Sequence, residues 1–226
     1  QMNDLSRRIA TTHGQTITSV KSQLNDVNAA AAQVVSLNAQ IRAGEGGGRT
    51  AADLRDARDL ALDKLAAIVP IRAIEQPNGN VSVYVGDALL ADGASSREMV
   101  LLKTSDGQFS AGFADNSRPI ELTGGNVGAN LELLNTHLPD LQNQLDILAT
   151  ALVDGVNDLH ENGYTAAGEK GIEFFTMSGP PASAASTIAI SGKVKESLEN
   201  IASIGTGPPG APGDWAVAHS SASLQN

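Results

Sequence analysis

The feature that most constrains this chain is an apolar ladder near its start. Val20, Leu24, Val27, Ala31, Val34, Asn38 and Ile41 follow one another in alternating steps of four and three. That spacing places all of them on one face of an α-helix, as in a coiled-coil seam. It predicts one long helix over Asp4 to Arg42. One polar residue interrupts the seam. Asn38 either sets register against a partner helix or is a polar residue tolerated near a helix end.

A second ladder answers the first. Leu131, Leu134, Leu138, Leu141, Leu145, Leu148, Leu152 and Leu159 keep the three-four spacing with little interruption. Pro139 breaks or kinks this helix, or starts a new one at its first turn. The two seams are natural mutual partners, so Val20–Ile41 and Leu131–Leu159 are expected to form an internal helical core with charged outer faces.

Between the ladders the pattern changes twice. "RAGEGGGRT" stops the first helix, since glycine supplies the left-handed conformation that ends helices. Thr50-Ala-Ala-Asp53 then reads as a capping box before a second helix from about Ala51 to Val69. Leu54, Ala61, Leu65 and Ile68 line one face of it, and Arg55 and Asp59 are spaced to pair on its surface. Pro70 stops it. From Ile71 to Leu122 the period falls to two. A Pro-Asn-Gly-Asn turn between Gln76 and Val81 marks a hairpin, and "REMVLLK", "GQFSAGF" and "RPIEL" are further short strands. Thr123-Gly124-Gly125-Asn126 punctuates the return to helix.

The expected fold class is α+β: a long antiparallel helical rod or bundle with an inserted small antiparallel β domain. Residues 1–70 form the first part of the rod, 71–122 the β domain, and 123–162 the return helix. Residues 163–213 are irregular and complete the β domain, with "TIAI" as a strand. Asp214 caps a helix over 214–226 that begins at Trp215.

Composition excludes several functions. Aromatic residues are 3% of the chain and the net charge is −10. No basic footprint for nucleic acid exists, and no polybasic patch for anionic lipid. Cysteine is absent, which removes disulfides and thiolate metal sites. No apolar run approaches the roughly 20 residues of a membrane helix, and "QMNDLSRRIA" carries no secretory signal. The helical patterns run into both ends, so the chain reads as a fragment.

Candidate chemistry is sparse. A phosphate loop needs G-x-x-x-x-G-K-[ST] after a strand. Here Ala43 stands for the first glycine, Arg49 for the lysine, and a helix precedes the loop, so Thr50 is better explained as a helix cap. Asp158, His160, Asn162, Gly163 and Glu169 nearly fit a calcium loop, but a histidine nitrogen stands where a hard cation wants oxygen. His13, His137, His160 and His219 are scattered. No serine lies in a G-x-S-x-G elbow. No cofactor, metal or catalytic site is expected.

"VVSLNAQIRAG" followed by "DLRDARDLALDKLAAIVPIRAIEQPNGNVSVYVGDALL" resembles the flagellar hook-associated protein 1 family, the first hook–filament junction proteins. Leu37, Asn38, Gln40 and Ile41 match the family's L-N-x-Q-I pattern. Asp53, Leu54, Asp56, Arg58, Asp59 and Leu65 match its D-L-L-D-Q-R-D-x-L-x-x-x-L, with Arg55 and Ala57 in place of the commoner Leu and Gln. "LTGGNVGANLELLN", with Gly124 and Gly125, looks like the family's glycine-marked lead into the next helix. Asn157, His160, Gly163, Tyr164, Gly168, Gly171, Phe174 and Phe175 fit the motif that closes that helix. "ENIASI" and "GAPGDWAVAHSSASLQ" resemble the return to the rod.

The resemblance covers essentially the whole chain, with two departures. Only residues 176–187 separate Phe175 from Ile188, so the outer β domain of longer members is absent. The terminal segments that form the inner tube are missing. The resemblance implies export through the flagellar type III channel and a ring of subunits outside the cell. The partners it implies are copies of the chain itself, the hook protein, the second junction protein and, through the missing terminal segment, an export chaperone. No nucleic acid or membrane is implied. Another axial flagellar protein, such as the second junction protein or a flagellin, is an alternative, as is an extracellular helical adhesin. "DLRDARD" and its following β run speak against the former, and a ligand on the β domain would favour the latter.

Overall fold

The computed structural model describes residues 1–46, 50–165, 167–180 and 183–203. Helix α1 (Met2–Glu45) and helix α2 (Ala52–Ile68) are where the periodicity put them. The first ladder is buried: Val20, Leu24, Val27, Ala31, Val34, Asn38 and Ile41 are each no more than 2% exposed. Strands β1 (Ile71–Glu75), β2 (Val81–Val85) and β3 (Ala88–Ala91) form one antiparallel sheet in that order. Strands β4 (Met99–Lys103), β5 (Phe109–Phe113) and β6 (Pro119–Ile120) form another. The chain is α+β.

Helix α2 begins without the expected capping box. Its N-cap is Ala51, and no side chain caps it through its own hydroxyl. The Glu45 carboxylate does that work instead, accepting the Ala51 N–H at 3.0 Å. A charged acceptor at a helix N-terminus also meets the positive end of the helix dipole, so Thr50 is not needed there. Val69 is extended at the C-cap, as the residue before Pro70 must be.

Helix α3 (Gly125–Glu132) runs into a π-helical turn (Leu133–His137) and then helix α4 (Leu138–Asn162). The π-turn explains how Pro139 is tolerated. An uninterrupted α ladder would ask residue 139 to donate to residue 135, and proline has no N–H. A wider turn releases that bond, and Leu138 donates to Leu133 instead.

The extra residue of the π-turn also shifts the buried face by one position. Up to and through it, Val127, Leu131, Leu134 and then Leu138, the first residue of α4, are buried. Further along α4 the buried positions are Asp146, Ala149, Val153 and His160. Leu141 and Leu148 are therefore 51% and 56% exposed, outside the seam that the spacing implied. Leu145 and Leu152 are half-buried. Replacing Leu148 with Gln should then change stability by less than about 0.5 kcal/mol, as for an ordinary surface position. Leu145→Ala should cost about 2 kcal/mol. Urea midpoints of the two variants check this.

The chain divides into two compact units. One, Thr12–Pro139, holds most of α1, α2, both three-stranded sheets and α3. The other joins Gln1–Thr11 to the described residues from Asp140 to Ser203. Residues 163–203 thus group with α4 and do not complete the β domain. Their strands β7 (Phe175–Thr176) and β8 (Ala189–Ile190) pair only with each other among the described residues. "TIAI" is only partly strand, because helix α5 (Ala184–Thr187) takes its start. Helix α6 (Gly192–Glu196) and a 3₁₀ turn (Leu198–Asn200) follow. In this second unit the start of α1 meets α4: Ser6 donates to Gln142 at 3.0 Å, and Met2 and Leu145 both pack against the cluster of Ala149, Ala184 and Ala185. The helix expected over 214–226 lies outside the described residues.

Candidate functional site

A carboxamide carries a donor and an acceptor side by side, as a peptide edge does. Four helical asparagines use both on a single strand residue. Asn28 donates to the Met99 carbonyl at 2.9 Å and accepts its N–H at 2.8 Å. Asn38 does the same to Val81, at 2.9 and 3.0 Å. Asn135 does so to Phe109, at 2.7 and 2.8 Å. Asn157 donates to the Phe175 carbonyl and accepts the Phe174 and Phe175 N–H groups, all at 2.9 Å. Each target opens a strand: Val81 β2, Met99 β4, Phe109 β5 and Phe175 β7. Each of these residues also has a neighbour strand in register, Glu75, Phe113, Lys103 and Ile190 in turn, so the helix side chain bonds a residue already in a sheet and fixes the strand to the helix.

The Asn38 clamp is braced by charge. Arg58 is 3% exposed. Its Nη1 donates to Asn38 Oδ1 at 3.1 Å and to the Gly79 carbonyl at 2.7 Å, and its Nη2 lies 3.5 Å from Glu75. Arg55 does not pair with Asp59. Its Nε and Nη2 grip both oxygens of Glu45 at 2.8 Å, and Nη1 reaches Glu75 at 3.0 Å. The fork geometry of guanidinium on carboxylate explains the choice, since Glu45 offers two aligned oxygens. It joins the end of α1, the first turn of α2 and the end of β1.

The Arg55 hydrogen bonds, followed by the Ala51 N–H, hold the Glu45 carboxyl down to about 2, from an ordinary 4.5. The ionised form is favoured in the fold. Its contribution to stability is therefore complete above pH 4.5 and is lost as pH falls from there toward about 2. The Glu45→Gln variant should lose stability at neutral pH and show a flatter acid limb over that window. A pH series of urea midpoints reads both.

In the second unit, His160 is 3% exposed. Its Nδ1 meets the Ile172 carbonyl, and its Nε2 accepts the Ala202 N–H at 2.9 Å. Both ring nitrogens are thereby engaged, with the proton on Nδ1. Phe174 stacks edge-on against His160 at 5.3 Å and Phe175 against Phe174 at 4.9 Å. With Asn162 inside α4, donating to the Asp158 carbonyl at 2.7 Å, these residues build a helix end and not a cation loop.

The motif residues fall into distinct roles. Leu65, Leu131 and Leu134 are buried, whereas Leu54 is half-buried. Arg58 is in the lock, while Asp56 and Asp59 are exposed. Gly124 and Gly125 both have positive φ, 123° and 67°. A side chain at Gly125 would stand 2.6 Å from the Ile68 carbonyl, so that glycine lets α3 start against the end of α2. Asn28 and Asn135 carry no motif, and position relative to the apolar ladder does not single them out: Asn25 also directly follows a buried residue, Leu24, yet is exposed.

Together these features define an α+β scaffold, in which helices carry small sheets and buried polar groups lock one to the other. The chain belongs to the flagellar hook-associated protein family: the model of the FlgK helical domain matches residues 1–175. It is 28% identical over 204 residues to flagellar hook-associated protein 1 of Salmonella typhimurium, covering 80% of this chain and 35% of that protein. Against the protein of the same name from Bacillus subtilis the identity is 27% over 214 residues, 79% of this chain and 42% of the relative. The solved flagellar hook junction protein FlgK of Burkholderia pseudomallei shares the fold, with a TM-score of 0.65 at 24% identity over 79% of this chain and 34% of that one. The chain thus spans well under half the length of these relatives.

Proposed function

We propose that this chain is part of a structural axial component of the bacterial flagellum that joins hook to filament, outside the cell, through subunit packing and not catalysis. The observation that carries the reading is the family match over residues 1–175. The four asparagine clamps support it, because they tie helix to strand within each unit, as a junction under mechanical stress requires. The proposed partners are further copies of the chain in a ring, the hook protein, the second junction protein and an export chaperone.

Deletion of the gene tests this reading. Electron microscopy should show hooks without filaments, with flagellin monomers in the medium. Normal filaments on the deleted strain would overturn the junction role.

A further inference from the structure

The sequence holds two Asn-Gly pairs, Asn78-Gly79 and Asn162-Gly163. Such pairs are chemically labile, because glycine puts no side chain in the way of its own backbone nitrogen. We propose that Asn78 is a site of spontaneous deamidation and isoaspartate formation in the folded protein, and that Asn162 is held inert.

The step is a displacement without electron transfer. The Gly79 nitrogen gives up its proton to solvent base and bonds to Asn78 Cγ. The Cγ–Nδ2 bond breaks and ammonia leaves, closing a five-membered succinimide. Water then opens the ring at either carbonyl, giving aspartate or isoaspartate. The net change is one water in and one ammonia out.

The β1–β2 turn equips Asn78 for this. Asn78 is exposed and Gly79 half-buried. The Asn80 N–H donates to Asn78 Oδ1 at 3.1 Å. That bond polarises the Cγ carbonyl, and it is placed to stabilise the oxyanion that forms there. Attack gives up one surface turn bond, from the Gly79 N–H to the Gln76 carbonyl at 2.9 Å. Asn162 is the opposite case. It ends α4, and its Nδ2 is tied to the Asp158 carbonyl. Gly163 is buried, with its N–H shared between the Leu159 and His160 carbonyls at 3.1 and 3.2 Å. Turning that carboxamide onto the Gly163 nitrogen would unwind the last turn of the helix.

The product would be felt inside the fold. Isoaspartate inserts a methylene into the backbone between position 78 and Gly79. That displaces the Gly79 carbonyl from Arg58, the guanidinium that also holds Asn38. The new carboxylate also enters the cavity lined by Glu45, Arg55 and Glu75, adding negative charge beside two glutamates. This inference is independent of the junction role.

Ageing the purified chain in warm, mildly alkaline buffer tests it. Peptide mapping with isoaspartate-specific methylation reads both sites, in folded protein and in denaturant. The expected result is isoaspartate at 78 well ahead of 162 in the folded chain, with the gap closing in denaturant. The Asn78→Gln variant should lose the signal at that peptide. Equal or faster reaction at 162 in the folded chain, or no product at 78, would overturn the proposal.

Discussion

Replacing Asn38 with Leu is expected to destabilise the Thr12–Pro139 unit by about 4 kcal/mol, from two buried backbone groups left without partners at roughly 1–3 kcal/mol each. Leucine suits a helix and keeps the branched shape of asparagine but is bulkier, so neither helix propensity nor a cavity accounts for the loss, and some overpacking adds to it. The Val81 N–H and carbonyl both face the carboxamide, and Val81 is 5% exposed. Water cannot replace the lost partners without opening the start of β2. Arg58 would keep the Gly79 carbonyl but lose Asn38 Oδ1, leaving a buried guanidinium less satisfied, with its Nε already unpartnered among the described residues.

Asn38→Asp separates the two halves of the clamp. It keeps the acceptor for Val81 and Arg58, loses the donor to the Val81 and Asp92 carbonyls and sets an acidic group at a buried site, so the expected cost is about 2 kcal/mol or more. Asn25→Leu, at an exposed position on the same helix, should stay within about 0.5 kcal/mol of wild type. Urea midpoints at unchanged slope measure all three. A leucine variant as stable as the parent would mean that position 38 packs as a coiled-coil seam residue and that the strand clamp contributes nothing.

The choice between a seam and a strand clamp at Asn38 is not visible in the sequence. Spacing identifies Asn38 as inward-facing, because a three-four ladder fixes which side of a helix is covered. It does not say what covers it. A heptad seam suggests another helix, whereas here the covering atoms at Asn38 are the backbone of β2. The strands themselves were legible, since period two and the Pro77-Asn78-Gly79-Asn80 turn are local signals. The phase of α4 was not. A π-turn is set by the conflict between Pro139 and the ladder bond it cannot make, and a ladder read at fixed spacing runs past that slip. Leu141 and Leu148 therefore read as core, while Asp146 takes the buried place and accepts the Ala185 N–H at 2.8 Å. Thr50 and Arg55 show a third limit. A capping box is a local pattern, but the Glu45 carboxylate that replaces it crosses the glycine stretch, and nothing in spacing brings the two ends of that stretch together.

The Gly171→Ala substitution carries the second large effect, about 3 kcal/mol or more of destabilisation by overpacking. The motif at the end of α4 ranks Gly171 no higher than Gly168, and only geometry separates them. A Cβ at 171 would overlap the His160 carbonyl oxygen and stand 2.8 Å from its carbon. Those are backbone atoms of a helix end, which cannot rotate aside as a side chain can. The residue-171 segment would have to lift away. It is held by the Gly171 N–H on the Gly163 carbonyl at 3.1 Å, and the next residue, Ile172, carries the carbonyl on His160 Nδ1. Lifting it disturbs the imidazole and, through Nε2, the Ala202 N–H. Hydrogen exchange at Ala202 should therefore accelerate in Gly171→Ala along with the fall in midpoint, although Ala202 is distant in sequence. Gly14→Ala supplies the opposite sign. A Cβ there meets nothing within 4 Å, and replacing glycine inside a helix gains about 0.5–1 kcal/mol. One alanine that stabilises and another that loosens a remote amide would together show that the close approach at Gly171, not glycine content, holds the end of α4.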